Sequence, residues 1–172
     1  EIDHIPLFTA NTNHISKESI VKKTWLPLAL VCILLLTGCS GAGAKVISAE
    51  YVDSINTSGG VSYTYEGMNI IEVRMDVSYS SDVVSGLDPE DDNFRGEVFS
   101  IIAKGVHLYL AGTEIERTYG YWPEEASDSS AKNLAFFYVI PESHSASDLN
   151  FVFDGEVIGD EGASLDQGLS PK

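Results

Sequence analysis

One cysteine stands directly after a small residue at the end of a short apolar stretch, in the order Leu36-Thr37-Gly38-Cys39. Bacterial lipoprotein processing uses this arrangement: the thiol accepts a diacylglyceryl group, and the bond between Gly38 and Cys39 is then cut. Lys22 and Lys23 precede the apolar stretch, as in the basic start of a secretory signal. The stretch is about a dozen residues long, shorter than the ~20 that a membrane-spanning helix needs. The sequence therefore predicts cleavage after Gly38 and lipid attachment at Cys39.

These features divide the chain into segments. Residues 1–20 contain no methionine, and Val21 is what an in-frame GTG start codon would give if it were read internally. We therefore expect 1–20 to be untranslated upstream sequence or a non-native extension, 21–38 to be the lipoprotein signal peptide and 39–45 to be a lipidated linker. A β-sandwich domain is expected over 46–158. Residues 159–172 lose the apolar alternation and are expected to form a flexible C-terminal tail.

Charge and cysteine content exclude several function classes. The formal net charge is −16, and the segment before Cys39 contributes equal numbers of acids and bases, so the mature part carries all of it. Such a surface repels nucleic acid, whose binding depends on cationic neutralisation of phosphates. Acyl chains rather than the protein surface would have to hold the membrane. The two cysteines are Cys32, which leaves with the signal peptide, and Cys39, so the mature domain has no thiol for a disulfide, zinc site or nucleophile.

An acidic run is the most charged motif. Oxygen ligands at close spacing suit calcium, and the candidate ligands are Asp88, Glu90, Asp91 and Asp92. The EF-hand pattern is not met, because Asn93 stands where that loop needs glycine. The alternative is a solvated acidic loop without metal, and no other cofactor is indicated.

Three aromatic residues, Tyr119, Tyr121 and Trp122, fall in an expected loop over 118–133. Exposed aromatic side chains beside acids are a common means of stacking on sugars or holding protein partners. If the expected loop over 81–96 lies at the same end of the sandwich, it would surround them with negative charge. The alternative is that the three side chains fold back and cap the core.

His144 stands close to Ser143, Ser145 and Asp148 in sequence, which superficially suggests a hydrolase triad. A triad is defined by geometry rather than by closeness in sequence, and the chain has no nucleophile-elbow motif. A polar hairpin loop is the favoured interpretation, so we expect no catalytic residue.

Period-two alternation dominates after Lys45 and predicts short half-buried strands. The clearest strand is 71–79, in which Ile71, Val73 and Met75 share a face with two further apolar residues. The other predicted strands lie at 61–65, 98–103, 106–110, near 115, at 134–140 and at 149–153, with a hairpin turn at Asp154-Gly155 leading into 157–158. No long helix is expected. The pattern predicts an all-β fold, an antiparallel β-sandwich of about seven to nine strands, with a small β-barrel as the alternative.

The order of features resembles the immunoglobulin-like domains of unknown function in small bacterial lipoproteins, particularly Gram-positive ones. The resemblance rests on the lipobox, the glycine-rich linker, the strand at 70–79, the segment Leu134-Ala-Phe-Phe-Tyr-Val-Ile-Pro141 and the following strand Asp148-Leu-Asn-Phe-Val-Phe153. It implies an immunoglobulin-like sandwich on the cell surface and supplies no catalytic residues.

We therefore expect a lipoprotein anchored to a bacterial membrane on the extracytoplasmic side through acylated Cys39. We expect it to act as a non-catalytic binding or interaction module of the cell envelope. Its partner would be an envelope protein or glycan, held in part by Tyr119, Tyr121 and Trp122. The alternatives are an envelope hydrolase or accessory enzyme, and a structural or stress-related envelope component.

Overall fold

The computed structural model describes residues 42–144 and 146–172. The predicted cleavage and lipidation site at Gly38 and Cys39, and the assignments made for residues 1–38, lie outside the described residues.

The described residues form eleven strands and one α-helix. The strands are β1 (Gly43–Val52), β2 (Ile55–Asn56), β3 (Ser62–Tyr63), β4 (Met68–Ser78), β5 (Val106–Leu110), β6 (Thr113–Ile115), β7 (Tyr119–Tyr121), β8 (Glu125–Ala126), β9 (Ser130–Pro141), β10 (Leu149–Phe153) and β11 (Leu165–Gly168). The helix, α1, spans Phe94–Ile102. Short 3₁₀ helices occupy Ser81–Val84, Ala103–Gly105, Ala146–Asp148, Gly155–Ile158 and Glu161–Ala163. None of the helices in the described part of the chain is long and apolar enough to cross a bilayer.

All strand pairs within the sheets are antiparallel. The large sheet has the order β1-β4-β9-β7, with β8 also paired to β9, and the small sheet has the order β11-β10-β5-β6. A separate two-stranded hairpin joins β2 to β3. This all-β, sandwich-like arrangement of open sheets confirms the predicted fold class.

One apolar cluster lies on each face of the large sheet. Ile71, Val73, Met75 and Val77 of β4 belong to the main cluster, which also contains residues of the small sheet and α1, so the alternation predicted for this strand is confirmed. A smaller cluster on the opposite face of the large sheet contains Ile55, Ile70, Ala135 and Phe137. Because β9 contributes to both clusters, it is apolar on both faces, as its sequence predicts.

The strand predicted at 98–103 is wrong, because these residues belong to α1 and to the 3₁₀ helix that follows it. Phe94, Val98 and Ile102 are spaced by four and bury one face of the helix in the main cluster. A short apolar run fits both the two-residue period of a strand and the longer period of a helix. Here the four-residue spacing from Phe94 to Val98 and Ile102 favours the helix. The helix also replaces the end of the loop expected over 81–96.

Two further local predictions need correction. The loop expected over 118–133 instead holds β7, β8 and the first residues of β9. The predicted hairpin after Asp154 is instead a 3₁₀ helix, in which Asp154 Oδ1 accepts a hydrogen bond from Glu156 N–H at 2.9 Å. Gly159 ends that helix with a φ of 78°, a left-handed conformation that glycine adopts without steric cost.

The flexible segments expected at both ends of the domain are also replaced by strands. β1 begins at Gly43, within the expected linker, and pairs with Ser78 of β4. At the other end β11 pairs with β10, Leu169 is buried, and Lys172 exchanges two backbone hydrogen bonds with β1. Tyr51 N–H donates to the Lys172 carbonyl at 3.1 Å, and Lys172 N–H donates to the Ala49 carbonyl at 3.2 Å. The segment 159–172 thus pairs with β10 of the small sheet and, through Lys172, with β1 of the large sheet.

Candidate functional site

Tyr119 and Tyr121 lie on β7, the edge strand of the large sheet, rather than in a loop. Their rings meet edge to face, with centroids 5.6 Å apart, and the Tyr121 ring meets Phe137 in the same way at 5.0 Å. Both tyrosines are half-buried and pack against the smaller apolar cluster. They are therefore brought together on the outer face of the large sheet, the face that does not meet the main core.

Trp122 does not join them. Its six-membered ring lies over Gly96 of α1, so closely that a Cβ atom on Gly96 would be 2.8 Å from Trp122 Cζ2. Gly120, two residues before Trp122, likewise faces the helix, where it meets Phe99. The indole is still 50% exposed. The expectation that the three aromatic side chains form one surface is therefore wrong: a strand alternates its side chains, and Trp122 turns toward the helix side.

A groove runs beside Tyr121 on the outer face, and we call it the outer groove. Its volume is about 340 Å³. Asp53 and Ser54, which connect β1 to β2, and Asn56 at the end of β2 contribute to the polar lining. Glu72 and Arg74 of β4 complete the polar lining, and Val52, Tyr121 and Phe137 supply the apolar part.

Arg74 is held in place by two partners. Its Nη2 lies 2.6 Å from Glu72 Oε1, and its Nη1 donates to Asn133 Oδ1 at 3.0 Å. Asn133 sits where the register between β4 and β9 shifts, with a positive φ of 55°, and its N–H donates to Asp76 Oδ1 at 2.9 Å. Bulges of this kind redirect side chains. Here the irregularity positions an amide oxygen that fixes the guanidinium at the groove.

The environment of the groove raises the pKa of one tyrosine, Tyr121. Burial raises the pKa of the Tyr121 hydroxyl, and the neighbouring Tyr119 and Glu72 raise it further, while Arg74 and a hydrogen bond with the Asn56 backbone act in the opposite direction. Tyr121 is therefore a neutral phenol at physiological pH. It offers an uncharged hydroxyl and an aromatic ring to the groove.

A second cavity, of about 200 Å³, lies on the other side of the tyrosine pair, and we call it the side groove. It is lined by Ile55, Tyr63, Tyr65, Thr118 and Tyr119. Ile55 of β2 is buried in the smaller apolar cluster, whereas Tyr63 and Tyr65 are exposed. The β2–β3 hairpin therefore packs on the outer face of the large sheet and contributes residues to both grooves. Tyr121 lines the outer groove and Tyr119 lines the side groove.

The acidic run forms turns that lead into α1. Asp88 Oδ1 accepts a hydrogen bond from Glu90 N–H at 3.0 Å, and Asp91 Oδ1 accepts one from Asn93 N–H at 2.8 Å. Over residues 42–144 and 146–172, no three histidine, cysteine or acidic side chains converge in a way that could hold a metal ion. The structure therefore does not bring Asp88, Glu90, Asp91 and Asp92 together as a calcium site, and the same carboxylates lie just before a helix N-terminus, which favours negative charge.

His144 shows no catalytic geometry. Its backbone N–H donates to the Pro141 carbonyl at 3.2 Å, and Asp148 is exposed, with its carbonyl accepting from Ala111 N–H. Ser145 lies outside the described residues. The better-formed histidine contact is the cross-strand pair of His107 Nδ1 and Glu114 Oε1, 2.6 Å apart on the small sheet.

Sequence reasoning missed the polar half of the outer groove. Glu72 and Arg74 alternate with the apolar residues of β4 in the sequence and so belong to its polar face. Their partnership with Tyr121 depends on the pairing of β7 with β9, which places them on the same face. The available signal was the alternation of Tyr119 and Tyr121 themselves, which is strand-like.

The chain matches no protein-family model, and comparison with curated proteins and with solved structures finds no similar protein.

Proposed function

We propose that this protein is a lipid-anchored, extracytoplasmic binding module of the bacterial cell envelope without a catalytic role. The lipobox ending at Cys39 supports the anchor and the location. The resemblance to immunoglobulin-like domains of small bacterial lipoproteins supports the same assignment. The anchored chain would hold its folded domain at the membrane, where that domain meets a partner.

The observation that carries the binding role is the outer groove. It is an open depression in which an aromatic ring, Tyr121, lies beside an ordered Arg74–Glu72 ion pair. Ligand sites combine apolar or aromatic lining with a few placed polar groups in this way. For an envelope hydrolase, a cavity lined by His144, Asp148 and a serine would be required, and the cavities described above are lined by other residues. No observation favours the structural or stress-related alternative over binding.

The anchor is tested by labelling cells with radioactive palmitate and partitioning the protein into detergent. The wild-type protein should carry label and enter the detergent phase. Cys39→Ala should yield unlabelled, uncut precursor, because lipidation precedes cleavage in this pathway. A soluble, unlabelled wild-type protein would overturn the anchoring half of the proposal.

The binding half is tested with the lipidated protein in nanodiscs, incubated with washed cell-envelope fragments. Wild-type protein should sediment with the fragments, and Tyr121→Ala should not. Tyr109→Ala is the matched control, because Tyr109 is a half-buried tyrosine on a strand of the small sheet. Equal sedimentation of both variants and wild type would show that the outer groove is not the binding site.

A further inference from the structure

We propose that the outer groove is a carbohydrate site that takes an uncharged sugar chain. The proposal rests on the binding function proposed above and names the class of ligand at the same site. It is carried by the composition of the groove lining, by the charge of the surrounding surface and by the presence of a second cavity at the tyrosine pair.

The lining matches the chemistry of a sugar ring. A pyranose has an apolar face of C–H groups and a rim of hydroxyls that both donate and accept hydrogen bonds. The aromatic part of the groove is Tyr121 beside Phe137, and the polar part presents carboxylate, guanidinium, amide and hydroxyl groups within the same depression. An aromatic surface with a high density of directional polar groups suits a ligand that is apolar on one face and polyhydroxylated at its edge.

Two of the groups that line the groove are held in place without a ligand. Glu72 and Asn133 hold the Arg74 guanidinium through one contact each. A guanidinium has five N–H donors, so donors remain for a ligand. Tyr121 is held by its edge-to-face contacts with Tyr119 and Phe137. Groups already held in position lose little conformational entropy on binding, which favours affinity for a flexible, strongly hydrated ligand.

Charge selects against anionic polymers. The groove itself has two acids, Asp53 and Glu72, against one base, Arg74, and that base is already paired. The whole chain has a net charge of −16. A phosphate-rich or uronic-acid polymer would be repelled over the whole approach, whereas an uncharged sugar chain is not.

Two cavities adjoin the tyrosine pair. The outer groove of about 340 Å³ and the side groove of about 200 Å³ flank the Tyr119–Tyr121 pair, whose rings touch. Tyr63 and Tyr65 add exposed rings at the far side. A row of aromatic rings with polar edges fits an oligosaccharide that extends across several rings better than it fits a monosaccharide.

A peptide strand is disfavoured as the occupant. Peptides that add to a sheet use the free backbone N–H and C=O groups of an edge strand. Glu72 and Arg74 lie on β4, which is paired on both sides with β1 and β9, so the part of the groove over β4 offers no free strand edge. Recognition over β4 must come from side chains, as it does for sugars.

The test is isothermal titration of the lipidated protein in nanodiscs. The probes are two uncharged oligosaccharides, N-acetylglucosamine hexamer and cellohexaose, with polygalacturonate as the anionic comparison. We expect at least one uncharged probe to bind and the anionic one not to bind. Tyr121→Ala should weaken binding by about tenfold or more, which corresponds to about 1.4 kcal/mol. Ser54 lines the groove and belongs to neither apolar cluster. Ser54→Leu, which adds bulk to the groove, should also weaken binding, and Tyr109→Ala should leave binding unchanged.

Three results would overturn the carbohydrate site. The first is binding of an uncharged probe that neither Tyr121→Ala nor Ser54→Leu weakens, because the sugar would then sit elsewhere. The second is the absence of binding to both uncharged probes while sedimentation with envelope fragments still depends on Tyr121. The third is groove-dependent binding of a peptide instead. The second and third results would leave the proposed binding function intact, so the two proposals fail separately.

Discussion

Phe99 of α1 stands against Gly120 of β7 so closely that a Cβ atom on Gly120 would overlap the ring. Phe99 in turn stacks on Phe136, with centroids 5.3 Å apart, and the Arg117 guanidinium lies within 6 Å of both rings. The absence of a side chain at Gly120 lets the helix approach the edge strand. The contact also fixes which face of β7 looks inward, and therefore turns Tyr119 outward toward the grooves.

Gly120→Ala should lower the free energy of unfolding by about 1–3 kcal/mol, the usual cost of overpacking a filled site. The added methyl group must displace Phe99 or shift β7. Thermal unfolding followed by circular dichroism measures the loss. Gly43→Ala is the matched control, because nothing lies within 4 Å of its added Cβ. Equal melting temperatures for the two variants would contradict the contact.

Trp122→Ala should cost about 1–2 kcal/mol of stability, less than the ~3–5 kcal/mol of a fully buried aromatic truncation. The ring covers Gly96 but is half exposed. Because Trp122 faces the helix, the variant should bind in the outer groove as wild type does. Chemical denaturation and the titration described above give both quantities. A loss of ligand affinity with unchanged stability would place Trp122 at the binding surface instead.

Stability should fall at alkaline pH partly through Tyr79. Burial, and then the charge of Asp128, raise the pKa of the Tyr79 hydroxyl from 10.0 to about 12. Since the folded-state pKa lies above the unfolded one, this contribution is complete below pH 10 and is lost as the pH rises through about 12. Urea unfolding at pH 8 to 12 should show a shallower decline for Tyr79→Phe than for wild type. Tyr65→Phe, at a more exposed ring, is the control.

Leu169→Ala should destabilise the domain by about 2–5 kcal/mol, as expected for a truncated buried leucine. Leu169 is buried in the main cluster, and its N–H donates to the Leu149 carbonyl at 3.0 Å. Ser170→Ala, at an exposed neighbour, should change little. A melting temperature equal to that of wild type for Leu169→Ala would restore the flexible tail expected from the sequence.

Asp88→Asn and Asp91→Asn should each retain the fold, because an amide oxygen can accept the same backbone hydrogen bond as the carboxylate. Millimolar calcium should leave the melting temperature of wild-type protein unchanged, since these carboxylates do not converge on a common point. A cation bound only by the folded state would raise the melting temperature by mass action. A calcium-dependent rise that both variants abolish would establish the metal site.

The sequence predicts the main features of the fold because its strongest signals are long and periodic. The alternation of β4 and the two-sided apolar run of β9 identify the centre of the large sheet without reference to other strands. The sequence does not predict α1, because its apolar residues over 98–103 fit the period of a strand as well as that of a helix. Phe94, which distinguishes the two, lies in a segment that is otherwise polar.

The candidate site could be predicted only in part. Tyr119 and Tyr121 are conspicuous in the sequence, but which side chains surround them depends on pairings between distant strands. Glu72 reaches the groove because β4 and β7 both flank β9, a relationship of sheet order that no local pattern contains. Trp122 is next to Tyr121 in the sequence, but its side chain points to the helix side of the sheet and those of the two tyrosines point to the outer face.

The two backbone hydrogen bonds between β1 and Lys172 set a limit on when the domain can finish folding. A ribosome releases β1 first, yet the outer edge of that strand finds its partner only when residue 172 has emerged. Contacts between segments that are far apart in the sequence form slowly, because a long loop must close first. Until then part of β1 is an unpaired strand edge, exposed to association with other chains. Pairing with the segment around residue 172 thus covers an edge of the first strand that would otherwise stay open to other chains.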